Sequence, residues 1–153
     1  MAINNTYKKP DYNDLQKSID KLIGKFGLEQ TLYIIETFSD NTGRHKDIHK
    51  RRLIEDYIIG EAIQIFNLDK SRFFKSERQK YREARMACYH LLDKYTGSTH
   101  REIAKALGRK RGSAIYFIQK CSEILSIPNG HHAFVAKYKA LDSNIIGFFS
   151  KLK

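Results

Sequence analysis

Apolar residues recur along this chain every three or four positions, and no stretch of any length alternates apolar with polar as a half-buried strand does. Residues 1–13 are polar, contain Pro10, and read as an arm or a fraying end. Leu15, Ile19, Leu22, Ile23 and Phe26 then predict a helix from Asp14 to the glycines at 24 and 27. Leu32, Tyr33, Ile34, Ile35 and Phe38 mark a shorter, more apolar helix over 28–38, and the two read as a helical hairpin with a face to bury. SDNTG at 39–43 is turn chemistry. The stripe Leu53, Tyr57, Ile58, Ala62, Ile65 and Phe66 predicts the longest helix, in which Gly60 costs stability relative to Ala and leaves close packing open as its reason. A polar, basic connection over 67–80 covers Phe73 and Phe74, and a helix over 81–95 follows on Ala84, Ala87, Cys88, Leu91 and Leu92. Pro128 and Gly130 break the pattern again, before two last helical segments over 132–141 and 144–152. The predicted fold class is all-α, without internal repeats.

The stretch 99–125 carries the most specific local signals. Thr99 with Glu102 three residues later is a capping box that fixes a helix start. Ile103 and Leu107 face inward, Ala104 is small enough for a second helix to approach, and Gly108 supplies a permissive backbone at the turn. In the second helix Ile115, Ile118 and Leu125 are expected on the buried face, flanked by Tyr116 and Phe117, which leaves Arg111, Gly112, Ser113 and Ala114 outward at its start. This is the layout of a helix-turn-helix, whose second helix presents its first turns to base edges in the major groove. Lys110 and Arg111 suit phosphate or guanine, and Ser113 can bond to either. An Ala/Gly turn between amphipathic helices also occurs in helical proteins of other kinds.

Charge changes this picture. The net charge is +11, and residues 70–120 hold 14 Lys and Arg against 4 Asp and Glu, so ten of the eleven excess charges fall in one third of the chain. Such a block suits a polyanion, although a solvated basic face would look the same in sequence. A hydrophobic fraction of 41% places the chain among folded rather than disordered proteins. Cys88 and Cys121 are too few for a disulfide framework or a four-cysteine zinc site, and both fall in apolar helical patterns. No apolar run reaches a membrane span and none resembles a signal peptide, so a cytoplasmic location without membrane attachment is expected.

From Ile54 to Leu141 the chain resembles the C-terminal DNA-binding domain of the bacterial replication initiator DnaA, a Trp-repressor-like helical domain. The likeness runs in order through IIGEAIQIFNLDKSRFF (58–74), YREARMACYHLLDKY (81–95), REIAKALG (101–108) and GRKRGSAIYFIQK (108–120). It implies a basic loop whose arginine enters the minor groove, matched by Arg82 with Arg85 beside it, and a phosphate contact from the hydroxyl of Thr99. The family's recognition signature, Gly-Gly-Arg-Asp-His-Thr-Thr, corresponds to Gly108, Arg109, Lys110, Arg111, Gly112, Ser113 and Ala114, so the acidic and imidazole base readers are replaced and the family's own DNA box is not implied. The expected DNA-contacting set is Arg78, Lys80, Arg82, Arg85, Thr99, Arg101, Arg109, Lys110, Arg111, Gly112, Ser113, Ala114 and Tyr116. The family's nucleotide-binding domain has no counterpart, since no Gly-x-x-x-x-Gly-Lys-Ser/Thr loop occurs. The expected organisation is a helical extension over 1–50, a DNA-binding domain over 51–142 and a helical tail over 143–153.

His45 and His49 share an i, i+4 spacing, but no third ligand follows and the surrounding RHKDIHKRR is cationic, so neither metal nor cofactor is expected. Lys50, Arg51 and Arg52 read as a second phosphate patch or a solvated helix start, and His131 and His132 as a helix start. No nucleophile and base occur in a supporting context, so the chain is not expected to be an enzyme. The leading expectation is a double-stranded DNA-binding regulator of replication initiation or transcription, with helix 112–125 in the major groove. The alternative is a protein-interaction module on the same fold, and homodimerisation through the N-terminal helices or the C-terminal tail is open to either.

Overall fold

The computed structural model describes residues 8–42 and 48–152, and all of its secondary structure is helical. The chain divides into two units, residues 1–39 and 40–153. In the first, α1 (Tyr12–Phe26) starts two residues ahead of its expected position because Asp11 and Asp14 form a reciprocal capping box, with N–H to carboxylate distances of 2.9 and 3.0 Å. Gly27, at φ 83°, is the only residue between α1 and α2 (Leu28–Thr42). An antiparallel helical pair needs a loop of about two to five residues. The expected buried hairpin face is correspondingly absent: no residue of α1 is buried, and Leu15, Leu28, Leu32 and Tyr33 are more than half exposed. The turn expected from Ser39 is also displaced, since α2 continues to Thr42.

The second unit is built around α4 (Gln79–Thr96). Against it pack α3 (Ile48–Ile65), α5 (His100–Ala106), α6 (Arg111–Ser126) and α7 (His132–Lys151). A helix covered on several sides must be apolar nearly all round. Tyr81, Ala84, Met86, Ala87, Cys88, Tyr89, Leu91, Leu92 and Tyr95 of α4 are all buried. α3 contributes Ile54, Ile58 and Ala62 at four-residue spacing, then Phe66; Leu53, expected on this stripe, is 51% exposed.

Among the described residues the longest helix is α7, with 20 residues against 18 in α3. Asp142, Ser143 and Asn144 read in sequence as a break, yet the helix runs through them because its polar positions find partners on other helices. The Asp142 carboxylate accepts from the Tyr95 hydroxyl and, at 3.2 Å, from Lys94 Nζ. Asn144 donates to Glu61 at 3.0 Å while its carbonyl accepts from the Tyr57 hydroxyl at 3.2 Å. Beyond that point Ile145 and Phe149 are buried in the same core, so residues 143–151 are the second half of a helix rather than a separate tail. No helix among the described residues is long and apolar enough to cross a membrane.

Candidate nucleic-acid interface

The two helices of the motif are fixed from both ends. Thr99 Oγ1 accepts from the Glu102 N–H at 3.2 Å, and Glu102 Oε2 accepts from the Thr99 N–H at 2.8 Å, the capping box expected. Arg51 Nη1 lies 3.3 Å from Glu102 Oε1, so one member of the basic run 50–52 ties α3 to the start of α5. The turn 107–110 closes with the Arg109 N–H on the Ala104 carbonyl at 2.8 Å, and Gly108 adopts φ 65°, where a side chain would be strained.

Rotation of α6 about its axis decides which residues face solvent, and here the structure corrects the sequence. Ala114, Cys121 and Ile124 are buried, with Phe117 and Ile118 partly so, and the Phe117 ring stacks on Tyr89 with centroids 5.5 Å apart. Ala114 is fully buried and cannot reach DNA, whereas Ile115, expected inward, is 39% exposed. The outward ridge is therefore Arg111, Gly112, Ile115, Tyr116, Gln119 and Lys120, all exposed, with Ser113 at its edge. Sequence reading missed Ile115, Gln119 and Lys120. Periodicity admits both facings: a stripe from Ala114 through Phe117, Ile118, Cys121 and Leu125 is as helical in spacing as one from Ile115.

Two arginines expected to touch DNA brace the connection, Arg85 from a buried position and Arg109 from a partly exposed one. Arg85 is 4% exposed; its Nη1 donates to the Phe73 carbonyl at 2.7 Å and its Nη2 lies 3.7 Å from Glu77 Oε2. Arg109 Nη2 donates to the Phe74 carbonyl at 3.0 Å and to Glu77 Oε1 at 2.8 Å. Together they hold the basic connection against the motif, over a fully buried Phe73; Phe74, expected beside it in the interior, is 43% exposed. The same connection is closed by Asp69, which caps a 3-10 turn at Lys70–Arg72 and whose N–H donates to the Tyr81 hydroxyl at 3.1 Å. The hydrogen bond from Arg109 holds the Glu77 carboxyl below its ordinary range.

The remaining expected cations are exposed and can be traced as one strip. Thr99 and Arg101 at the start of α5 share a shallow surface cleft with Arg111. Along α6, Tyr116, Gln119 and Lys120 line a second cleft, and Lys120 Nζ sits over the Tyr116 ring, 5.5 Å from its centroid. Lys120 then shares a third cleft, of about 250 Å³, with Gln79 and Arg82 of α4, over a floor that includes Met86 and Phe117. Arg78 and Lys80 are exposed beside Arg82, and Lys110 is exposed at the cap of α6.

Little else among the described residues offers chemistry. Burial pushes the Cys121 thiol up to about 12 and the Cys88 thiol higher, which removes both as nucleophiles at neutral pH. No group of three His, Cys, Asp or Glu able to hold a metal ion occurs among the described residues; His45 lies outside them. No family model, curated protein or solved structure matches the chain.

Proposed function

We propose that the second unit is a non-enzymatic double-stranded DNA-binding module of the helix-turn-helix kind, serving regulation of replication initiation or transcription. The observation that carries this reading is the strip itself: Arg101, Arg111, Lys120 and Arg82, drawn from three helices, follow one another along the exposed side of α5–α6. In this reading α6 enters the major groove, and Arg78, Lys80 and Arg82 follow the adjacent backbone or minor groove. The cations supply affinity through counterion release, while the ridge from Arg111 to Gln119 meets the bases. The resemblance of residues 54–141 to the DnaA DNA-binding domain supports the same orientation. The substituted readers at Arg111 and Gly112 argue for a different target sequence.

The test is fluorescence anisotropy on labelled 20-base-pair duplexes across a salt series. With about four to six phosphates engaged, affinity should fall roughly 10²- to 10³-fold between 50 and 200 mM salt. Absence of binding to every duplex at low salt would refute the proposal. A second reading, a protein-interaction module, draws on the exposed Leu15, Leu28, Leu32 and Tyr33 of α1 and α2. It predicts a concentration-dependent mass in sedimentation that disappears when residues 1–39 are removed.

A further inference from the structure

Resting on the DNA-binding reading, one feature of α6 bears on what the module recognises. Ile115 is 39% exposed in the middle of a polar, cationic ridge, and the core below α6 is already filled by Ala114 and Cys121. Single exposed apolar side chains are ordinary, so this exposure alone decides nothing. The second observation is Gly112, one turn earlier on the same ridge. Its φ is not positive, and a Cβ placed there would meet nothing within 4 Å. Neither a turn nor packing within the protein therefore requires glycine; the same holds for Gly24, Gly60 and Gly147, but of these only Gly112 lies on the exposed ridge of α6, and glycine there still costs helix stability relative to alanine. A bare backbone beside a projecting branched aliphatic makes a surface that can approach closely and end in an apolar contact. In the major groove the apolar feature of a base edge is the methyl group on pyrimidine C5, carried by thymine and, at the same position, by 5-methylcytosine.

We propose that Ile115 reads a pyrimidine 5-methyl group in the major groove, with Gly112 clearing the space for α6 to approach. The full chain should first select its preferred duplex from a random pool. Each thymine is then replaced singly by uracil, and each cytosine by 5-methylcytosine. One uracil substitution should weaken binding roughly three- to fivefold, the worth of one buried methyl; if the methyl comes from methylcytosine, that substitution should strengthen binding by a similar factor. Ile115→Ala should fold normally by circular dichroism, bind DNA, and abolish the methyl-dependent difference. Gly112→Ala should melt at a higher temperature yet bind more weakly. The proposal is overturned if the pool yields no preferred duplex, if no methyl change alters affinity, if Ile115→Ala keeps the methyl-dependent difference, or if Gly112→Ala binds as well as the unaltered chain. Failure to bind any duplex at low salt is a different result, and removes the DNA-binding reading itself.

Discussion

Arg82 and Arg85 are three residues apart on α4, and only Arg82 reaches solvent. Arg85→Met should cost about 2–3 kcal/mol in denaturant melts, because the Phe73 carbonyl loses a charge-assisted bond in a buried site. Arg82→Ala should leave stability within about 0.5 kcal/mol and weaken DNA binding. Spacing marked both as basic residues of one segment, but only the packing of the connection over α4 distinguishes them. His90 is a second case of residue-level context. Its Nδ1 lies 2.6 Å from the Tyr138 hydroxyl, and burial, helped by Lys94 and opposed by Asp93 and Asp142, holds the imidazole below its ordinary 6.5. A histidine with a depressed folded value contributes stability above 6.5, and that contribution is lost as the pH falls through the folded value. The melting temperature should therefore drop between pH 7 and 5, and drop less in His90→Gln.

At the level of the element, the start of α5 was legible and the facing of α6 was not. The capping box is a local code of two residues three apart, so Thr99 and Glu102 announce it without tertiary knowledge. Thr99→Ala should cost about 1 kcal/mol, whereas Thr99→Ser should keep both the cap and a hydroxyl for phosphate. The facing of α6 depends on which apolar residue turns into the core, and Ala114 and Ile115 are both apolar neighbours that could do so. Packing selects the smaller one, which lets the helices approach closely. Ala114→Leu should then overpack that crossing and cost about 1–3 kcal/mol in melts, while an exposed Ile115→Leu change should be near neutral. α7 carries the same lesson. Asp142 and Asn144 resemble a helix break in isolation, and become helix-compatible because Tyr95, Lys94 and Glu61 from α4 and α3 meet them.

Across the whole molecule, the net charge of +11 and its concentration in residues 70–120 are sequence facts, but the charged surface is not the charged segment. Arg85 is buried, Arg109 is bound to Glu77 at the edge of the motif, Arg72 faces Asp69 and Lys94 faces Asp142, while Lys120 joins the strip from the far end of the motif. Substituting Arg111 or Lys120 by Ala should each reduce the slope of log affinity against log salt by about one unit, whereas Lys94→Ala should leave it unchanged. Because the core lies within residues 40–153, a chain lacking residues 1–39 should keep a cooperative melt.

By itself the sequence determined the helical class, most helix positions, the capped start of α5 and the location of the basic block. Each of these depends on periodicity, a local cap or composition, and all three are properties of residues close in the chain. Only the tertiary structure decided which face of α6 turns outward, which arginines brace the connection, and that α7 runs unbroken to Lys151. Those outcomes are set by partners far away in sequence: Tyr89 against Phe117, Arg85 and Arg109 around Glu77, and Tyr95 against Asp142. Burial and hydrogen bonding at such crossings select between local alternatives that periodicity alone does not separate.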